Sequence, residues 1–339
     1  MTKDFYKIFY PYFPIPSTEK SCIFLSDMIK YFSNMLLFRL FDSKRRCSSI
    51  EISTKDVSVL SIKITADSTC DLTAELLERY DVELFPLSVI LNDKSLKDGV
   101  DVFADDLYRH VETTGSLPST SANSVGEYMD RFAVLSTQYD AVIHINISAE
   151  FSSCYQNACI AAEEFDNVYV VDSRNLSTGH GHVVIEAALA AQRGMGAPEI
   201  VDFLNDLTGR VEASFVLDQL AYMVKGGRCS AVTALGANLL KLKPCIEVKD
   251  GKMGVVKKYR GSFSKVILEY VKDRLENRED VIYDRIFITY SSDMPEVVAA
   301  VREAVNQYSS FTEIIDNRAG CTVCSHCGPS TLGILFIRK

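Results

Sequence analysis

Ser61-Ile62-Lys63-Ile64-Thr65-Ala66-Asp67 alternates polar and apolar side chains, and Ser68-Thr69-Cys70-Asp71 then breaks the alternation ahead of a helical run over 72–80. Successive side chains of a strand point to opposite faces, whereas apolar residues three and four apart mark a helix. The change of period therefore sets a strand, a loop and a helix in succession. Asp71 is of the residue type that accepts a free backbone N–H at a helix start, and it is expected to cap the 72–80 helix.

The unit recurs downstream. Residues 84–91 are apolar and β-branched around Pro86, as in an edge strand, because proline cannot donate to a ladder. Ala141-Val142-Ile143-His144-Ile145-Asn146-Ile147 has the near-continuous apolar character of a strand buried on both faces, and 168–171 forms another strand that ends at Asp172-Ser173. Helical patterns over 124–138, 152–164 and 181–193 fall between or after these strands. Strands alternating with helices imply a mostly parallel sheet covered on both faces, whose ligands collect at the carboxyl ends of the strands. The loops after Ile64, Ile147 and Val171 are the places to search.

Beyond residue 211 the pattern shifts to short strands at 214–217, 245–248 and 255–258, a helix over 264–276, and strands at 285–290 and 335–337. Asp250-Gly251 between two of them is a hairpin turn. The fold class is thus α/β with two domains: an N-terminal, mostly parallel α/β sheet domain over 61–210 and a C-terminal α+β domain over 211–339. A chain of 339 residues with 47% apolar content is long enough for both.

The net charge of -9 argues against nonspecific adhesion to nucleic acid or to an anionic membrane, since both need an excess of Lys and Arg. Ten unevenly spaced cysteines without a secretory leader suggest reduced thiols and a cytoplasmic setting. Residues 1–60 differ from the rest, with nine Lys and Arg against six Asp and Glu. Their most apolar stretch, 22–41, carries Asp27, Lys30 and Arg39, and charges inside such a span are costly in lipid, so no stable membrane insertion is expected. The segment is read as a poorly ordered extension.

Two hydroxyl clusters stand just before helices. Pro118-Ser119-Thr120-Ser121-Ala122-Asn123-Ser124 includes a capping box, Ser124 with Glu127, and Ser148-Ala149-Glu150-Phe151-Ser152-Ser153-Cys154-Tyr155 follows the buried strand. Hydroxyls and unpaired N–H groups at a helix start favour an anion, so each cluster fits a carboxylate or phosphate as well as a plain cap. Lys225-Gly226-Gly227-Arg228 is a turn with two cations but lacks the spacing of a nucleotide P-loop. Cys321-Thr322-Val323-Cys324-Ser325-His326-Cys327 invites a zinc reading, yet a second, separated ligand pair is missing, and no metal is expected. His144 reads as a core histidine and His180-Gly181-His182 as a loop and helix start. No catalytic triad, acid/base carboxylate pair or dinucleotide fingerprint is present, so no catalytic residue is assigned.

In order along the chain, Ala66-Asp67-Ser68-Thr69-Cys70-Asp71-Leu72, Pro118 to Ser121, Ser148 to Ala158, Val171-Asp172-Ser173, Leu220 to Arg228, Leu239 to Pro244 and Ser325-His326-Cys327-Gly328-Pro329 resemble the DegV family over 61–339. The resemblance implies a ligand cleft between the two domains that encloses one long-chain fatty acid, with no other cofactor. Thr120 and Ser152 match the hydroxyls that hold the carboxylate, Ser121 and His326 match supporting donors, and Arg228 lines the mouth or meets a partner. Some relatives are the lipid-binding subunit of a bacterial fatty acid kinase and present the carboxylate to a separate ATP-binding subunit, which would make this chain a carrier and not an enzyme. Where the family commonly has Ser-Ser-x-Leu-Ser-Gly-Thr-Tyr, this chain has Ala149 and Ser153 in place of a hydroxyl and a glycine. The competing classes are a stand-alone phosphotransferase using the 225–228 turn and a zinc-stabilised module built on Cys321, Cys324 and Cys327.

Overall fold

The computed structural model describes residues 61–234 and 242–339. The expected extension at 1–60, and Leu239, Leu240 and Lys241, lie outside the described residues. Among the described residues, thirteen strands follow in chain order: β1 Ile62–Asp67, β2 Val82–Phe85, β3 Ser88–Leu91, β4 Lys94–Lys97, β5 Ser119–Ser121, β6 Ala141–Asn146, β7 Val168–Asp172, β8 Val211–Leu217, β9 Leu242–Lys249, β10 Lys252–Arg260, β11 Val281–Tyr290, β12 Glu313–Arg318 and β13 Thr331–Arg338.

These make a parallel sheet in the order β2-β1-β6-β7, a six-stranded sheet in the order β10-β9-β8-β13-β11-β12, and a small sheet β4-β3-β5. The first is parallel throughout. In the second only β11 and β12 run parallel. In the parallel sheet the chain steps from β1 to β2 on one side and then to β6 and β7 on the other. Such a reversal opens a crevice at the strands' carboxyl ends.

Helix Ser177–Gln192 explains how the two larger sheets share a core. It packs on β1 and β6 and also on β8, β11 and β13, and twelve of its residues are buried. A helix covered all round has no polar face, which is why the sequence pattern there is weak. The helix begins four residues before the expected 181, because Ser177, Thr178, Gly179 and His180, polar or small enough to pass for a loop, are buried. Gly181 lets it approach: a Cβ there would stand 2.8 Å from the Cys70 carbonyl oxygen. One apolar cluster runs from Ile64 and Ile143 through Val184 to Phe215 and Leu335.

Two local expectations are corrected. The run 84–91 is not one edge strand: Pro86 divides it, so that β2 borders the parallel sheet and β3 is central to the small one. Asp71 does not cap the first helix, which spans Ala74–Tyr80 with Thr73 accepting the Leu76 N–H. Asp71 is left-handed, at φ 53°, and its carboxyl turns inward. The capping box at Ser124 and Glu127 is present, as is the Asp250-Gly251 turn between β9 and β10. Among the described residues no helix is long and apolar enough to cross a membrane.

Candidate functional site

Thr120, Ser121, Ser152, Arg228 and His326 all line one cleft beyond the carboxyl ends of β1 and β6, with about 580 Å³ of space between atoms, part of it open to solvent. Apolar walls come from Leu87, Ile147, Phe151, Leu176, Met223 and Met253. The loop after β6 supplies Ile147, Phe151 and Ser152, the small sheet supplies Thr120 and Ser121, and β10 of the second large sheet supplies Met253.

Thr120, in the middle of β5, shares a 2.8 Å hydrogen bond between its Oγ1 and His326 Nε2. His326 is largely buried, and burial, helped by the charge of Arg228, pushes its pKa down to about 4. The ring is therefore neutral at physiological pH. Among the described residues its Nδ1 has no partner, and Gly226 packs so tightly against it that a Cβ would lie 2.3 Å away. Ser152 Oγ accepts the Cys154 N–H at 3.3 Å and donates to Cys154 Sγ at 3.1 Å, at the start of helix Cys154–Ala162. Ser121 is exposed and its hydroxyl turns to the Ala122 carbonyl. Arg228 is also exposed. Its guanidinium donates to the carbonyls of Gly226 at 2.6 Å and Phe151 at 3.4 Å, and among the described residues no carboxylate pairs with it.

Behind this rim lies a buried polar network the sequence did not reveal. Asp67 Oδ1 accepts the Tyr128 hydroxyl at 2.7 Å, and Oδ2 accepts Asn146 Nδ2 at 3.0 Å and the Ile147 N–H at 3.1 Å. Burial opposes its ionisation, but hydrogen bonding and charge from His144, with His180 and Tyr128 adding to them, outweigh burial and hold its pKa below the usual value. His144 itself bonds Thr65 at 2.8 Å, which fits its reading as a core histidine. His180 and His182 contact the carbonyls of Ile145 and Leu335 inside the central helix, away from the cleft.

The segment weighed for zinc is helix Cys321–Cys327, and among the described residues no group of three or more His, Cys, Asp or Glu is arranged to hold a metal ion. Burial raises all three thiols, Cys327 to about 12, so none is a ready thiolate ligand. Two carboxyl groups hold the start of this helix. Asp98 accepts the N–H groups of Cys321 at 2.9 Å and Thr322 at 3.1 Å, and Asp71 accepts that of Gly320 at 3.0 Å. Burial first, and then the neighbouring charge of Asp98, push the Asp71 pKa up to about 8 against a hydrogen bond from Ser177. The arrangement fixes His326 from a distance.

The β9–β10 hairpin borders the cleft through Met253. Ser148 Oγ donates to the Gly251 carbonyl at 2.9 Å, and a Cβ on residue 251, at φ 79°, would meet that hydroxyl at 2.8 Å. Glycine at the turn is thus required by both backbone and contact.

Fold and cleft together define a class: mixed α/β proteins that hold an apolar cleft, rimmed by hydroxyls, beyond the edge of a parallel sheet. The family model described as "Uncharacterised protein, DegV family" matches residues 61–339, and the chain belongs to the DegV family. A DegV domain-containing protein of Caldanaerobacter subterraneus subsp. tengcongensis is 31% identical over 280 residues, covering 82% of this chain and 99% of that one. Among solved structures, a DegV family protein from Thermus thermophilus described for its fatty acid binding superimposes with a TM-score of 0.75 at 28% identity, over 83% of this chain and 100% of that one. A stearic acid-binding protein from Eubacterium ventriosum does so with a TM-score of 0.71 at 26% identity, over 82% and 98%.

Proposed function

We propose that the chain binds a long-chain, palmitate-like fatty acid in this cleft, between domains at 61–210 and 211–339, as a cytoplasmic lipid carrier. Thr120 and Ser152 hold the carboxylate, Ser121 and His326 support it, and Arg228 stands at the mouth. The observation that carries the reading is the cleft's make-up: apolar walls, hydroxyls and a neutral imidazole in one lining, with Thr120 bonded to His326, and one exposed cation, Arg228, that pairs with no carboxylate among the described residues.

Each buried methylene contributes about 0.8 kcal/mol, so a chain of about sixteen carbons is held strongly without a charged clamp. Neutral donors bind a carboxylate less firmly than a bidentate arginine does, which suits a subunit that hands the group to another enzyme. That enzyme is a separate ATP-binding fatty acid kinase subunit that makes the acyl phosphate, and this chain performs no chemistry alone.

Denaturing extraction of the purified full chain followed by lipid mass spectrometry tests the first step, with one fatty acid per chain expected. Lipid-free preparations that also fail to bind added palmitate would sink the reading. Incubation with ATP and palmitate, without a partner, is expected to give no acyl phosphate; turnover would make the chain a kinase in its own right.

A further inference from the structure

A polar pocket stands apart from the cleft and shares none of its lining residues. It has about 660 Å³ of space between atoms, part of it open to solvent. Its walls come from separate parts of the chain: Arg174 and Asn175 after β7, the segment that leads into β8, Lys249 at the end of β9, and Arg338 at the end of β13.

The carboxylates of this pocket are already answered, two of them by arginines that do not line it. Glu212 receives Arg278 at 2.9 Å and Glu247 receives Arg274 at 2.6 Å. Asp250 stands 3.8 Å from Arg174 and is largely exposed to water. The donors are a different matter. Among the described residues the Arg174 side chain makes no hydrogen bond, and the Lys249 ammonium has neither a hydrogen bond nor an ion pair. Arg338 hydrogen-bonds through Nη2 alone, to the Gly209 carbonyl at 2.9 Å.

Asn175 is the sharper sign. It is 1% exposed, and its Oδ1 accepts the Leu176 N–H at 3.0 Å, while its Nδ2 donates to nothing among the described residues. A buried donor left without an acceptor costs about 1–3 kcal/mol, so an acceptor is expected from the space that Asn175 lines.

We propose that this pocket binds the phosphate group of a small soluble molecule. Phosphate carries more charge and more acceptor oxygens than a carboxylate, and it matches two guanidinium groups, an ammonium and an amide brought from separate segments. The inference stands independently of the fatty-acid reading, because the two linings do not overlap.

Isothermal titration of the full chain with inorganic phosphate, at constant ionic strength, tests it on delipidated and on palmitate-loaded protein. Saturation at one phosphate per chain is expected in both, with acetate weaker by about tenfold or more. Lys249→Gln and Arg174→Gln, both at exposed positions, should each weaken phosphate by about tenfold or more and leave palmitate affinity unchanged. Asn175→Asp keeps the acceptor for Leu176 and turns the buried donor into a repelling oxygen, which should abolish phosphate binding. If that variant does not fold, the two exposed ones decide alone. Absence of saturation, acetate bound as well as phosphate, or both glutamine variants binding like the parent overturns the proposal. So does phosphate that palmitate displaces, since it would belong to the cleft beside Arg228 instead.

Discussion

Asp98 and His326 grip the same seven-residue helix from opposite ends: Asp98 accepts the first two backbone N–H groups, and His326, near the last turn, meets Thr120. Asp98 is buried at 4% exposure. Asp98→Ala strands three buried donors, the N–H groups of Cys321 and Thr322 and the Ser68 hydroxyl, and is expected to destabilise the fold by about 1–3 kcal/mol for each. Asp98→Asn, which keeps one acceptor, should lose less. Denaturant midpoints check the ranking, and an alanine variant as stable as the parent would refute this account of the helix.

Removing the rim hydroxyls should weaken the head group and spare the fold. If Thr120 and Ser152 hold the carboxylate as proposed, Thr120→Val and Ser152→Ala each delete a hydrogen bond to a charged ligand, worth about 1.5–3 kcal/mol or roughly ten- to a hundredfold in affinity. Titration of delipidated protein with palmitate measures it. Unchanged affinity in both variants, and in the double variant, would remove these residues from the site.

Gly226→Ala should act through His326. The added methyl would stand 2.3 Å from Nδ1, so the ring must leave Thr120. Palmitate affinity is expected to fall about as far as in Thr120→Val, by roughly tenfold or more, with little change in the unfolding midpoint. If the two substitutions combined lose twice as much as either, they act independently and the proposed route is wrong.

Acid should destabilise the fold through its buried neutral imidazoles. Burial lowers the pKa of His180 to about 4, of His182 to about 3 and of His326 to about 4, from an unfolded value of 6.5. The unfolded chain binds protons first, so this stability is complete above pH 6.5 and is lost as the pH falls towards 4. Each unit of displacement carries about 1.4 kcal/mol. His182→Gln should flatten the pH dependence measured by urea unfolding; parallel curves would contradict the assignment.

Asp71 has the opposite sign. Its folded pKa, raised to about 8, means that the folded chain keeps a proton the unfolded chain has lost above 3.8, so its contribution fades as pH rises through 8. Asp71→Asn, which keeps the acceptor for Gly320, should gain stability over the parent as the pH is raised from about 5 to about 9. A difference that does not change with pH would exclude it.

Much of this was legible because it is local. Ser124 with Glu127, Asp250-Gly251 and the buried β6 strand each announce themselves within a few residues, and Ser152 stands where a helix begins. Thr120 was legible as a hydroxyl but not in its setting, which is a strand rather than a helix start. Its bond to His326 joins residues 206 apart, and the Asp98 contacts span more than 220, distances at which no periodicity speaks. Cys321, Cys324 and Cys327 resemble metal ligands because a spacing of three is also one turn of a helix, and only burial tells the two apart.

Thr120 is carried by a strand of three residues at the border of the small sheet, with β3 as its one neighbour among the described residues. So few ladder bonds make β5 cheap to peel, since short exposed borders open far below the free energy of global unfolding. On the proposed reading, release of the fatty acid is then a local breathing motion: the hydroxyl at residue 120 swings out while both large sheets stay shut. Amide exchange at 119–121 should run faster than at 142–146 by orders of magnitude, and it sets an upper limit on how quickly the protein can let go.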